Sequence, residues 1–162
     1  MVDIPIRVYV DTSIFGGIFD REFAYPSRVF FDQALGGRFQ MAISSLVHDE
    51  MASAPARVRE FFRDMLRYTQ EVPITDDATE LQWAYLRAGV VAEQWAEDAL
   101  HVAVATVSTC SVIVSWNYRH IVHFEKIVRY NEVNTANGYA GIQNLLPARG
   151  SLVCRRRLIA SR

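Results

Sequence analysis

The stretch Arg7-Val8-Tyr9-Val10-Asp11-Thr12-Ser13 sets a short apolar run directly against a carboxylate and two hydroxyls. A β-branched and aromatic run of this kind suits a buried strand, and Asp-Thr-Ser suits the cap of a following helix. The same grammar recurs further along. Phe39-Gln40-Met41-Ala42-Ile43 leads through Ser44-Ser45 into a segment that carries Glu50, and Val112-Ile113-Val114-Ser115-Trp116 leads into Asn117. Between them, Asp98 opens the small-residue segment Glu97-Asp98-Ala99-Leu100-His101-Val102-Ala103, read as a buried helix. This alternation predicts an α/β domain with helices flanking a mostly parallel sheet. In such a sheet the strand C-termini share one rim, where ligands bind. Asp11, Glu50, Asp98 and Asn117 are expected on that rim. Three carboxylates gathered there repel one another unless a hard divalent cation sits among them.

The intervening segments fill in the helices. Residues 14–36 read as helical pieces broken by Gly16-Gly17 and Pro26. Pro55 opens a helix whose apolar stripe is Val58, Phe61, Phe62, Met65 and Leu66. Residues 68–77 read as a loop with a short strand near Val72. Leu81, Ala84, Tyr85 and Ala88 mark another amphipathic helix, introduced by acidic residues suited to its positive end. Trp83, beside that stripe, is expected to be structural. Phe124, Ile127 and Val128 suggest a further helix, and the Asn- and Gly-rich residues 131–141 a loop.

Composition narrows the class. The chain has 162 residues, 51% hydrophobic and 12% aromatic, which excludes a disordered or fibrous protein and fits one domain with a real core. A net charge of −1 gives no overall pull toward nucleic acid, so any such contact needs a local basic patch. Cys110 and Cys154 stand apart, without zinc-knuckle or disulfide spacing. The longest apolar stretch, residues 102–114, is interrupted by Thr106, Ser108, Thr109 and Ser111 and is too short to span a bilayer. Asp3 and Arg7 before a short apolar run do not read as a signal peptide. A cytoplasmic protein is the expectation.

Taken singly, each acidic residue has a plain explanation: a helix cap for Asp11, a solvated helix position for Glu50, a macrodipole partner for Asp98, a turn for Asn117. Taken together, in order and spacing, the segments around them resemble the successive motifs of the PIN domain. These are Val8 to Ser13, Ile43 to Glu50, Glu97 to Ala105 and Val114 to Ile121; residues 134–141 are similar to the loop before that family's last strand. The resemblance covers about residues 6–146 and is closest to the bacterial branch with VapC-type toxins. It implies a three-layer α/β/α sandwich over residues 1–147; residues 148–162, around Arg155-Arg156-Arg157, depart from the family pattern and are expected to form a basic, mobile tail. It also implies a ribonuclease using Mg²⁺ or Mn²⁺, with an antitoxin as partner and a homodimer as assembly. Carried over by position, Asp11 and Asp98 are the main metal ligands and Glu50 completes the triad. Asn117 stands where many members have a fourth Asp, and it would ligate through its carbonyl or orient a water. Thr12, Ser13 and Ser115 would hold the carboxylates in place.

The chemistry suits these residue types. Phosphodiester hydrolysis needs an activated water and a stabilised leaving oxygen, which oxygen-ligated cations supply. In-line attack leaving a 5′-phosphate and a 3′-hydroxyl is the expected course. Competing phosphate or metal motifs fail on single residues: Ser13 stands where a haloacid-dehalogenase-like enzyme wants a second Asp, and Phe15 breaks the D-x-S-x-S of an adhesion site. The four histidines lack the Cys or third His of a zinc set, and His101 is expected to be packed or hydrogen-bonded rather than a ligand. Arg59, Arg63 and Arg67 form a stripe that is either a solvated helix face or a track for an RNA backbone. Trp116, beside Asn117, is the tryptophan expected to line a substrate groove. Phe15, Phe19 and the apolar residues of the helix from Pro55 could bury themselves in another copy or a partner.

Overall fold

The computed structural model describes residues 5–147. At its centre lies β1 (Arg7–Val10), whose Val8, Tyr9 and Val10 are all buried, as a strand covered on both faces requires. The chain continues through α1 (Thr12–Gly17), α2 (Ala24–Leu35), β2 (Gln40–Ile43), α3 (Ser45–Met51), α4 (Ala56–Met65) and β3 (Thr69–Glu71). It then forms α5 (Asp76–Arg87), α6 (Ala96–Val107), β4 (Val112–Val114), α7 (Phe124–Ala136) and β5 (Gln143–Leu145). Single 3₁₀ turns, Leu66–Tyr68 and Glu93–Trp95, precede β3 and α6.

All strand pairings are parallel, in the order β3-β2-β1-β4-β5. Val8 faces Met41 on one side and Val112 on the other. Right-handed crossovers put the helices that join β1, β2 and β3 on one face, and those leading to β4 and β5 on the other. The packing agrees: α1 touches α2, α3 and α4, while α5 touches α6 and α7. The result is a three-layer α/β/α sandwich. The direction of strand addition reverses between β1 and β4, so their C-terminal ends open a crevice.

Each helical layer has its own filling. Between α1, α2 and α4, Phe15 meets Phe62 edge-on at 5.0 Å and Phe31 meets Phe61 at 5.0 Å. Phe15 is fully buried, so it belongs to the core and is not offered to a partner; Phe19 is partly buried against Phe61. On the other side, Ala99, Ala103 and Ala105 are fully buried and let α6 lie close to β4 and α5.

Three expectations need correction. Pro26 does not break a helix: α2 begins at Ala24, so Pro26 sits in a first turn where its missing N–H is not needed. Residues 131–136 are helical, not a loop, because the asparagine side chains find partners in the fold. Asn134 is fully buried, with Oδ1 accepting from the Tyr85 hydroxyl and Nδ2 donating to Thr106 Oγ1 at 3.4 Å. Asn131 pairs with both backbone groups of Ile142. The helix ends at Ala136 with Asn137 as its cap, and the next residue, Gly138, takes a φ of +82° that favours a residue without a side chain. Trp83 is half exposed, and Tyr85 two positions on is the buried residue. The basic tail, residues 148–162, lies outside the described residues.

Candidate active site

Asp11 leaves β1 into the crevice and caps α1. Its Oδ2 accepts hydrogen bonds from Ser13 Oγ at 2.7 Å and Ser115 Oγ at 2.8 Å. Ser13 Oγ in turn accepts from the Trp116 amide, and Ser115 Oγ accepts from the Asn117 amide, both at 2.9 Å. Two small hydroxyls thus stitch the end of β1 to the end of β4. They fix the carboxylate so that Oδ1 faces His101 Nε2 at 3.5 Å.

Glu50 reaches the same point from the last turn of α3. Its Oε2 accepts from Thr12 Oγ1, and its two oxygens lie 3.0 and 3.1 Å from His101 Nε2. Ser44 does not cap α3 with its side chain; its Oγ lies 2.7 Å from the Tyr9 hydroxyl, which is 2.9 Å from His101 Nδ1. His101 is therefore buried between a phenol and two carboxylates. Burial alone would lower its pKa, but the Glu50 hydrogen bond and the charges of Asp11, Glu50 and Asp98 raise it above the ordinary histidine value. Burial pushes Glu50 the other way, and its bonds to His101 and Thr12 hold it below the usual range. Burial keeps the Tyr9 hydroxyl protonated.

Asp98 lies in the first turn of α6, where its Oδ1 accepts from Asn117 Nδ2 at 2.9 Å. Asn117 Oδ1 accepts from the amides of Arg119 and His120, at 3.2 and 3.0 Å. That carbonyl thus already accepts two hydrogen bonds that shape a turn, while the amide of the same side chain holds Asp98. Burial, followed by the charge on Asp11, raises Asp98 to about 6.

Asp11, Glu50 and His101 present ligand atoms within 4.8 Å of one another. Asp98 stands outside that trio, yet close enough for their charges to act on its titration. The donors are mostly hard carboxylate oxygens beside a crevice, which fits Mg²⁺ or Mn²⁺ retaining part of its water shell. His101 could join as a ligand only after losing a proton, and while charged it takes the counter-ion's place. Sequence reasoning left His101 and Tyr9 out of the site. The available signal was the position of His101 three residues after Asp98, on the same helix face.

The remaining candidates sit apart from this group. Arg59, Arg63 and Arg67 are exposed on and after α4; Arg59 donates to the Ala54 carbonyl and Arg67 lies over the Tyr68 ring. Trp116 is half-buried, stacked on Phe23 at 4.3 Å with Nε1 donating to Ser27 Oγ. A Cβ at Gly17 would fall 2.5 Å from Ser27 Oγ and 2.6 Å from Trp116 Nε1, so glycine is what admits this contact.

No family model matches the chain, and no curated protein matches it. Solved structures do. One is VapBC2 from Rickettsia felis bound to a DNA fragment from their promoter, with 12% identity and a TM-score of 0.56 over 87% of this chain and 98% of that one. A toxin–antitoxin complex from Klebsiella pneumoniae is 21% identical, with a TM-score of 0.54 over 74% of this chain and 93% of that one. FitAB bound to the IR36 DNA fragment is 11% identical, with a TM-score of 0.57 over 86% and 94%.

Proposed function

From a PIN/VapC-like fold with this site at its switch point, we propose a divalent-cation-dependent endoribonuclease that acts as the toxin of a toxin–antitoxin pair. The observation that carries the reading is the meeting of Asp11 and Glu50 at one point, with Asp98 held beside them by Asn117. Three carboxylates from separate segments converge around one imidazole, a charge clustering typical of functional sites.

Asp11, Asp98 and Glu50 would hold Mg²⁺ or Mn²⁺, which supplies Lewis acidity and makes water acidic enough to attack phosphorus. The protein's own contribution is orientation. Ser13 and Ser115 fix Asp11, Thr12 fixes Glu50, and Asn117 fixes Asp98. His101, braced by Tyr9, balances the carboxylates while no substrate or cation is present. Under this reading the protein works in the cytoplasm on RNA, bound in turn by an antitoxin and by a second copy of itself. The toxin–antitoxin character of the structural neighbours supports the partner. Among the described residues no helix is long and apolar enough to cross a membrane. Residues 1–147 would form the nuclease domain and residues 148–162 a basic appendage.

Incubation with a mixed RNA panel and Mn²⁺ tests the proposal. Cleavage is expected from the parent and not in EDTA, nor from Asp98→Ala or Asp11→Ala proteins that retain the parent's circular dichroism. Cutting that continues unchanged in EDTA would remove the reading. A second reading, a PIN-like binding module without catalysis, is favoured by the internal counter-ion His101 and by the Asn117 carbonyl, which already accepts two hydrogen bonds. A Mn²⁺ titration separates the two, because the binding module takes up no cation.

A further inference from the structure

Trp95 and His120 stack beside the Asp98–Asn117 hydrogen bond, with ring centroids 4.2 Å apart and planes inclined by 21°. The connections close a ring. Trp95 immediately precedes α6, and Asp98 is one turn further on. Asp98 accepts from the Asn117 amide, and the Asn117 carbonyl accepts from the His120 backbone. Whatever aligns Asp98 therefore also aligns the Trp95–His120 pair.

The pair is not sealed into the core. Trp95 is 38% exposed, and His120 is its one ring partner among the described residues. Trp116, by contrast, has its face covered by Phe23 and its N–H taken by Ser27. His120 is braced on its far side as well: Lys126 Nζ lies 3.2 Å from Nδ1, and the Tyr130 hydroxyl donates to the His120 carbonyl at 2.9 Å. An ammonium can only donate, so Nδ1 accepts and a neutral ring carries its proton on Nε2. Lys126 and the exposed Arg119 add positive charge here. Glu93 and Glu97 flank Trp95 in sequence and repel phosphate, so the indole suits the flat face of a base while Lys126 suits its phosphate.

The geometry points to the Trp95–His120 pair as a stacking platform for an unpaired nucleobase of single-stranded RNA, adjacent to the bond that is cut. The assignment rests on the nuclease reading for its substrate, and it replaces Trp116 with Trp95 as the tryptophan that meets RNA. It makes the platform a device that selects unpaired substrate, since a base held within a duplex has no free face to offer.

Equilibrium binding in EDTA, where no cutting is expected, gives the test. The probes are a fluorescent oligouridylate and a ribose-phosphate oligomer of equal length without bases. Trp95→Ala is expected to weaken oligouridylate binding about tenfold, the usual scale of one base–aromatic stack. It should leave the baseless oligomer unaffected, and Trp95→Phe should recover most of the loss. Parent-like binding by Trp95→Ala, equal loss for both oligomers, no recovery in Trp95→Phe, or a parent that binds neither oligomer would each overturn the platform. The two readings separate cleanly. A parent that shows the stacking pattern but cuts nothing with Mn²⁺ removes the nuclease and keeps the platform; a parent that cuts while Trp95→Ala binds normally does the reverse.

Discussion

Both nitrogens of His101 are engaged, one by the Tyr9 hydroxyl and one by two carboxylates, and the ring has almost no water around it. Such a group gives the cation-free protein a definite pH response. Asp98 titrates higher in the folded chain than in the unfolded one, so its contribution to stability is present at low pH and is lost as pH rises from about 3.9 through about 6. The raised pKa of His101 acts in the same direction, with its stabilisation lost as pH climbs from the ordinary histidine value through the folded one. Glu50, shifted down, opposes them only at the acid end, losing its contribution as pH falls below the ordinary carboxylate range. Thermal melts in EDTA should therefore give a higher Tm near pH 5 than near pH 8. Asp98→Asn should flatten the fall between pH 4 and 6. A Tm that rises steadily from pH 5 to pH 8 would show that these shifts are wrong in sign.

At the level of elements, α7 was the hardest to read. Asn134→Ala would take one of the two side-chain partners, Asn134 and Thr106, from the buried Tyr85 hydroxyl, at a cost of about 1 kcal/mol. Urea unfolding should show that loss, and Tyr85→Phe should remove much of it, because the two side chains form one interaction. A simple additive pair would contradict the network. The start of α7 is marked by Phe124, Ile127 and Val128, but its second half, residues 131–136, reads as a loop for a physical reason. Asparagine favours turns when its amide must seek nearby backbone, and only tertiary partners on α5, α6 and the segment before β5 supply Asn131 and Asn134 with something better. The strands were legible because burial on both faces leaves an unbroken apolar run. Asp11 stands out because it follows a strand and Asp98 because it opens a helix, while Glu50 lies in the last turn of α3 and is singled out by the family resemblance. Their bracing was not: nothing in Thr12, Ser13 or Ser115 states which oxygen each hydroxyl meets, and a histidine inside an alanine-rich helix looks the same whether it meets a carboxylate or merely packs. Gly17 is similar, its meaning fixed by Trp116, 99 positions away in the chain.

For the molecule as a whole, an all-parallel sheet sends every strand end that matters to one rim, and the helical layers bury aromatic and small residues independently of it. Cation loading is thus expected to add stability without being a condition for folding. At a Mn²⁺ concentration of about one hundred times Kd, the gain is about 2.7 kcal/mol, visible as a Tm increase of several degrees. EDTA should return the melt to its cation-free value with the far-ultraviolet spectrum intact, and Asp11→Ala should show no increase. A protein that unfolds in EDTA would belong to a different class, in which the metal is part of the architecture.

The lodging of an imidazole against Asp11 and Glu50, with a carboxyl of raised pKa nearby, has an outcome for traffic through this pocket. With a divalent cation held as proposed, hydrogen ions would compete with it for the same oxygens, and the rim would work as an ion exchanger: loading would acidify the surroundings, and acid would unload it. Output would then track the ratio of the two ions in the surrounding fluid, a form of control that requires no moving part.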